Sequence, residues 1–195
     1  MIFGGNEING VTFSEAKKIK VSITHSKKLR EDDITFTDED ADGLLLPHND
    51  ALVIPLNVLD FKIKHILVDP GSSANIIQWR VLEQAKLTRS IIPKTKLLAG
   101  FNLATVTTRG EILLLTNVKG VMKTTLFEVV DRDMRYNIIL GRPLLHDMKV
   151  VPSTYHQLLK FSTSEEIKKI RGDQPTAREM NTILISNRKG KDRAA

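Results

Sequence analysis

The 195-residue chain is predicted to be an all-β protein, and three features of its sequence indicate this class. Short apolar runs rich in Val, Ile, Leu and Thr recur through residues 51–161. Turn-forming residues separate these runs about every ten positions, a spacing typical of barrels and sandwiches. Segments with helical spacing of apolar residues are few and short. Together these features predict a β-barrel or a β-sandwich.

The domain is predicted to begin with two strands and a helix. The first strand spans residues 51–58, and the second spans residues 61–68, where alternation gives way to a wholly apolar run. A strand shows this change when it passes from the surface into the core. In residues 79–86 the apolar side chains follow a helical period, which predicts a short helix with Trp79 as a packing residue.

A hairpin is predicted over residues 96–118. The chain rises over residues 96–101, turns at residues 102–104 and returns over residues 105–108. A further strand then starts at Gly110.

The remaining part of the domain is predicted to contain three strands and one short helix. Pro143 suits the first turn of a helix over residues 144–148. Beyond Phe161 the chain is charged, and we expect loose order with a helix at residues 165–171. The three strands are predicted over residues 124–130, 136–140 and 155–161.

The composition narrows the possible functions. The chain has no cysteine, which excludes disulfides, thiolate zinc sites and a cysteine nucleophile. No apolar run reaches the length of a membrane span, and the first residues do not resemble a signal peptide. We therefore expect an intracellular, cytoplasmic protein without a membrane partner.

The net charge of +6 raises the question of nucleic-acid binding. The basic residues are scattered singly, without interleaved aromatic residues or a zinc-knuckle pattern, so the sequence does not favour a nucleic acid as partner. Acidic residues cluster at positions 38–42, but the spacing of an EF-hand is absent. We interpret this cluster as a solvated acidic loop and expect no metal site.

The chain is organised around residues 66–77, with the sequence ILVDPGSSANII. Two β-prone runs flank a tight turn, and Asp69 stands at the mouth of that turn. Pro70 restricts φ and Gly71 allows the chain to reverse. Ser72 and Ser73 offer hydroxyls and backbone N–H groups to a carboxylate oxygen. An ordinary reverse turn capped by Asp69 would use the same residue types, so both interpretations are open at this level.

The wider pattern resembles the retroviral-type aspartic proteases. Residues 69–72 resemble their Asp-Thr/Ser-Gly-Ser/Ala signature, and residues 138–142 (IILGR) resemble the hydrophobic segment ending in Gly that packs behind the catalytic loop. Residues 100–110 resemble the flap hairpin. Further segments are similar to the protease region of plant gypsy-type LTR retrotransposon Gag-Pol polyproteins, namely residues 47–53, 66–74, 139–146, 151–161 and 172–178.

This resemblance implies a retropepsin-like acid protease barrel with one or two short helices, one half-site per chain and poorly ordered tails. It implies a flexible segment over residues 1–35, the protease domain over residues 36–161 and a linker over residues 162–195. The catalytic residue would be Asp69, in a loop formed with Pro70, Gly71 and Ser72. The flap would contain Ala99, Gly100, Phe101, Asn102 and Leu103, and the supporting residues would be Ile139, Leu140, Gly141 and Arg142.

The resemblance also implies the reaction. Aspartic proteases use two carboxylates that share one proton, and this chain offers one suitable acid. A symmetric homodimer would place Asp69 against its own copy. The reaction would be endoproteolysis of a peptide or polyprotein substrate, without a cofactor or metal. If the retrotransposon is active, the protein would work in a virus-like particle.

Three positions depart from the family pattern. Pro70 replaces a Thr or Ser whose hydroxyl braces the two loops across the dimer. Ser73 replaces an Asp that pairs with the Arg after the glycine, and Leu103 stands where a flap glycine is common. These departures leave open an alternative of another class, a non-catalytic fragment that serves as a dimerisation or peptide-binding module.

Overall fold

A computed structural model describes residues 33–99 and 105–180. The predicted hairpin tip at residues 102–104 and the predicted flap residues Gly100, Phe101, Asn102 and Leu103 lie outside the described residues. Within that part of the chain there are eleven strands, β1 to β11 in order: Val53–Val58, Phe61–Val68, Ile76–Gln78, Leu97–Ala99, Thr105–Thr107, Gly110–Val118, Val121–Val130, Ile138–Leu140, Val151–Ser153, Leu158–Ser162 and Ile167–Arg171. The α-helices are α1, Trp79–Gln84, and α2, Arg142–Asp147, and residues 174–180, after β11, are helical as well.

Six strands close into a barrel in the order β1-β2-β8-β3-β7-β6. The longest hairpin joins β6 and β7 in an antiparallel register, and β8 pairs with β2 in parallel and with β3 in an antiparallel direction. In β6 the side chains of Ile112, Leu114 and Val118 face the core, while Leu113 and Leu115 are exposed. This alternation is the period that predicted the strand. The prediction of an all-β fold is confirmed, and the structure selects the barrel.

A β-bulge interrupts the β1–β2 pairing before β2 reaches the site. Ile54 pairs with Ile66 and Leu56 pairs with Ile63, so Pro55 faces two residues of β2. Pro55 has no N–H to donate, and His65 adopts a positive φ of 58°. Beyond the bulge, Ile66 and Leu67 stay paired with β1 on one edge, and the last three residues of β2 pair in parallel with β8 on the other edge.

Two smaller sheets flank the barrel: β4 and β5 form a two-stranded hairpin, and β9, β10 and β11 form a three-stranded sheet. Strand β11 pairs with β10 along Ile167–Arg171, so the prediction of a helix at residues 165–171 is wrong. Ile170 of this run is buried in the hydrophobic core, and a sequence window dominated by charge does not show this. The boundaries at residues 36–161 stay a prediction.

Buried ion pairs connect the segment before the barrel to the last sheet and to the helical residues that follow it. Asp40, in a 3-10 helix at Asp38–Ala41, is buried and accepts hydrogen bonds from Lys160 at 2.5 Å and Lys169 at 3.1 Å. Asp50 is buried as well and accepts a hydrogen bond from Arg178 at 2.8 Å. The prediction of a solvated acidic loop is therefore wrong for Asp40.

Helices are short throughout the described part of the chain, and none there is long and apolar enough to cross a membrane.

The Asp40 ion pair predicts acid-sensitive stability. The hydrogen bond from Lys160 and the N–H of Thr37 hold the pKa of Asp40 well below its usual range. A lowered pKa in the folded state contributes stability above the unfolded-state pKa of about 3.9, and this contribution is lost as the pH falls. We expect Asp40→Asn to unfold at lower urea concentration than the wild type at pH 7, with the difference shrinking below about pH 5.

Asp38→Asn is the matched control, because Asp38 is exposed on the same turn. Urea unfolding of the three proteins from pH 7 down to pH 3 measures the effect. A difference between Asp40→Asn and wild type that does not change with pH would contradict this account.

Candidate active site

Asp69 lies at the end of β2, at the point where this strand meets β8. Its backbone N–H donates to the carbonyl of Leu140 at 2.9 Å, which extends the parallel β2–β8 pairing by one residue. The side chain is half-buried. One carboxylate oxygen, Oδ1, accepts a hydrogen bond from the Gly71 N–H at 2.9 Å. No other donor among the described residues reaches this carboxylate, so it faces the cleft with hydrogen-bonding capacity to spare.

Residues 69–75 form a loop that is held by hydrogen bonds within it, and we call it the Asp69 loop. The N–H of Ser72 donates to the Asp69 carbonyl at 3.0 Å, and the Ser72 hydroxyl donates to the Ala74 carbonyl at 2.8 Å. Ser72 thus bonds within the loop and not to the carboxylate. A Cβ atom on Gly71 would lie 3.0 Å from the Asp69 Oδ1, so the position favours glycine. Pro70 and Ser73 are exposed.

Gly141 allows the end of β8 to pack directly on the Asp69 loop. Ile139 and Leu140 pair with Leu67 and Val68 of β2. A Cβ atom on Gly141 would lie 2.3 Å from the Ala74 carbonyl oxygen and 2.8 Å from that of Ser72. Real Cβ atoms do not approach backbone oxygens this closely, so no other residue fits without moving the loop.

Arg142 supports the Asp69 loop from the start of α2. Its Nη1 donates to the Gly71 carbonyl at 2.9 Å and to the Pro70 carbonyl at 3.3 Å. Its backbone N–H donates to the Ser72 carbonyl at 3.0 Å. The absence of an Asp at position 73 therefore leaves the guanidinium with carbonyl partners in the loop itself.

Asn75 is a supporting residue that the sequence analysis did not identify. Its side chain is 3% exposed; Oδ1 accepts from the Gly141 N–H at 3.0 Å, and Nδ2 donates to the Leu126 carbonyl at 3.1 Å. One amide therefore joins the Asp69 loop to β7 and to the end of β8. The sequence signal for this role was the position of Asn75 directly before the apolar run at residues 76–77. An amide that is buried beside such a run needs hydrogen-bond partners, which makes it a candidate for joining segments.

The Asp69 carboxylate opens into a cleft of about 620 Å³. The β4–β5 hairpin, which includes Ala99, forms one wall of this cleft, and the Asp69 loop forms another. Residues 132–134 lie on a further side. The apolar lining residues are Ile76, Leu97, Leu98, Val106, Val130, Met134 and Ile139.

Charged groups fasten the base of the β4–β5 hairpin to the barrel. Glu111 and Glu128 face each other across β6 and β7, and Lys96 forms an ion pair with both, at 3.2 Å from Glu111. The hydrogen bond to Glu128 raises the pKa of Lys96, and a hydrogen bond from Lys94 lowers the pKa of Glu111. Two like charges opposite each other would repel without this lysine.

Thr108 also helps to fix the base of the β4–β5 hairpin to the barrel. It is buried, and its Oγ1 accepts from the Lys96 N–H and donates to the Lys94 carbonyl, both at 2.9 Å. The hairpin therefore leaves the barrel from a fixed base.

Metal-ligating side chains do not cluster in the described part of the chain: no three of its His, Asp and Glu residues come together as a metal ion would require. The reactive group that this cleft offers is the half-buried Asp69 carboxylate, whose Oδ1 is held in place by the Gly71 N–H.

Solved structures of retroviral-type proteases are similar to this chain. The retroviral protease-like domain of Ddi1 from Leishmania major matches with 19% identity and a TM-score of 0.52, over 65% of this chain and 96% of that domain. A retropepsin-like aspartic protease from Rickettsia conorii matches with 19% identity and a TM-score of 0.42, over 53% of this chain and 76% of that one. No protein-family model and no curated protein matches the chain. The likeness to the Ddi1 domain, together with the closed six-stranded barrel, shows that the chain has a retropepsin-like fold.

The two hydrogen bonds of Asn75 predict a measurable loss of stability on their removal. Asn75→Ala leaves the Gly141 N–H and the Leu126 carbonyl without this partner, and we expect the free energy of unfolding to fall by about 2–3 kcal/mol. The control is Asn57→Ala in the exposed part of β1, with an expected change of at most about 0.5 kcal/mol. Urea unfolding measures both, and equal effects of the two substitutions would show that Asn75 has no special supporting role.

Proposed function

We propose that this protein is an aspartic endopeptidase of retrotransposon type, which acts as a homodimer on peptide bonds of a polyprotein. The observation that carries the proposal is the position of Asp69. It ends an inner strand of a retropepsin-like barrel, its Oδ1 accepts the Gly71 N–H, and it opens into a cleft beneath a hairpin. The similarity of five sequence segments to plant gypsy-type Gag-Pol proteases supports the finer assignment.

The proposed chemistry needs a pair of carboxylates. Two carboxylates about 3 Å apart share one proton, because both cannot be ionised at that separation. The ionised member takes a proton from a water molecule, which attacks the scissile carbonyl, while the protonated member donates to the carbonyl oxygen. The pair titrates as a unit, so activity should be greatest at mildly acidic pH.

The second carboxylate would come from a second copy of the chain. Asp133 is the other acid among the described residues that line the cleft, but its side chain is 99% exposed and lies 3.9 Å from Arg80. A two-fold axis near the Asp69 loop would bring the two Asp69 residues together. The exposed positions of Pro70 and Ser73 leave that face of the loop open to a partner.

The cleft suits an extended peptide. Strands β4 and β5 form an isolated two-stranded sheet, whose backbone can bond to an extended chain. The apolar side chains on the cleft walls would bind apolar side chains next to the scissile bond. We place the working protein inside the cell, in a virus-like particle if the element is active.

A specific observation favours the alternative function, a non-catalytic dimerisation or peptide-binding module. Pro70 has neither a hydroxyl nor an N–H, so the brace that Thr or Ser provides between the two loops cannot form. The fold and the cleft do not depend on that brace within one chain, because Arg142 and Asn75 hold the loop. A protein that binds peptides without cleaving them would have the same structure.

The first test is the substitution Asp69→Asn. We expect the wild type to cleave peptides at about pH 5 and pepstatin to inhibit it, and the variant to lose at least 100-fold in kcat, since its amide cannot act as the base. Mass spectrometry of peptide digests measures cleavage, and circular dichroism controls for the fold. Cleavage that persists in Asp69→Asn would exclude the proposed mechanism, and a wild type that binds peptides without cleaving them would favour the alternative.

The second test restores the missing hydroxyl. We expect Pro70→Thr to tighten the dimer by about tenfold in Kd, because a hydroxyl at this position can bond across the two-fold axis. Sedimentation velocity over a concentration series measures the dimer, and peptide cleavage is followed in parallel. Pro70→Ala is the matched control, since it removes the ring without adding a hydroxyl; an equal gain with Ala would assign the effect to the backbone and not to the brace.

A further inference from the structure

We propose that the cleft selects peptides with an acidic side chain near the scissile bond, and that Arg132 recognises this side chain. The inference rests on the proposed function, because it takes the cleft as the peptide-binding site. It names the class of substrate that the site prefers.

The charges around the cleft single out Arg132. Among the described residues that line the cleft, it is the one basic side chain, and the acidic ones are Asp69 and Asp133. Both acids next to Arg132 in sequence have other partners: Asp131 forms an ion pair with Arg109, and Asp133 lies 3.9 Å from Arg80. No carboxylate in the described part of the chain pairs with Arg132, although two flank it.

The loop that carries Arg132 is anchored on both sides. Gln78, which is 2% exposed, donates through Nε2 to the Met134 carbonyl at 2.5 Å and to the Tyr136 carbonyl at 2.6 Å. On the other side, the guanidinium of Arg109 that pairs with Asp131 also stacks on the Trp79 ring at 4.4 Å. These contacts hold the loop on the barrel and leave the Arg132 side chain exposed at the cleft.

The surroundings strengthen an interaction at this position. Most other lining side chains are apolar, and a peptide in the cleft would displace water from them. An ion pair formed with reduced access of water is stronger than one on an open surface. A guanidinium binds a carboxylate through two parallel hydrogen bonds, a geometry that neither a neutral amide nor an ammonium group on the peptide can accept.

The test uses labelled decapeptides with a central Phe-Leu pair, in which Glu, Gln or Lys occupies in turn each of three positions on either side. Binding to the full chain carrying Asp69→Asn is measured by fluorescence anisotropy at pH 5.5, where a glutamate is ionised. We expect at least one position at which the Glu peptide binds about tenfold more tightly than the Gln peptide, the size of a charge-assisted hydrogen-bonded pair. This preference should weaken at 0.5 M salt.

Substitutions assign the preference to the residue. Arg132→Gln, added to Asp69→Asn, should bring the ratio of Glu to Gln affinities to about one, and Arg132→Glu should turn the preference towards Lys. Arg89→Gln is the matched control, an exposed arginine away from the cleft, and it should keep the wild-type ratio. Equal affinities at every position, binding of no peptide, or a preference that survives Arg132→Gln would overturn the inference.

Cleavage of the same peptides by the protein with Asp69 intact separates this inference from the proposed function. An acidic preference in binding without any cleavage supports the role of Arg132 and counts against the endopeptidase. Cleavage without an acidic preference supports the endopeptidase and overturns the role of Arg132.

Discussion

The direct contact between Gly141 and the Asp69 loop is the constraint on which the rest of this site depends. The backbone of β8 can approach the carbonyls of Ser72 and Ala74 only because position 141 carries no side chain. Asn75 then reaches the Gly141 N–H, and Arg142 follows directly with hydrogen bonds to the loop. The orientation of the Asp69 carboxylate therefore follows from the packing of backbone against backbone. The side chains of Asn75 and Arg142 stabilise this packing. This explains how the loop keeps its shape within one chain although Pro70 offers no hydroxyl.

Polar contacts in this protein lie where separate pieces of structure meet. Lys96 joins the base of the β4–β5 hairpin to two glutamates of the barrel, and Asp40 joins the leading segment to Lys160 of the last sheet. Breaking such a pair leaves a charge with little access to water, which costs more than the pair itself gains. These contacts therefore fix where each piece sits more than they raise the total stability. These polar contacts also set the shape of the cleft, because its walls come from the barrel, the β4–β5 hairpin and the loop at residues 131–137.

Several strands could be predicted from their local pattern, because an apolar run with a period of two depends only on neighbouring residues. The strands at residues 61–68 and near residues 110–130 follow this rule. The two short helices were also predicted locally, one from a helical period of apolar residues and one from Pro143 in its first turn. The strand β11 and the buried Asp40 could not be predicted in this way. The ionic partner of Asp40 lies 120 residues away, and β11 depends on its pairing with β10 and on Ile170, which packs in the hydrophobic core. A charged window has the same appearance whether it is solvated or paired. Asn75 and Lys96 were missed for the same reason.

The sequence by itself determined the all-β class, the placement of Asp69 at the end of an apolar strand, and the glycines at positions 71 and 141. Each of these depends on residue type and local period, which are present in the chain before it folds. Only the tertiary structure decided that the sheet closes into a barrel, that Asn75 joins three segments, and that Arg132 stands at the cleft with no carboxylate partner among the residues the structure describes. These facts depend on which distant residues meet, and a pairing between distant segments is set by the packing of the whole core.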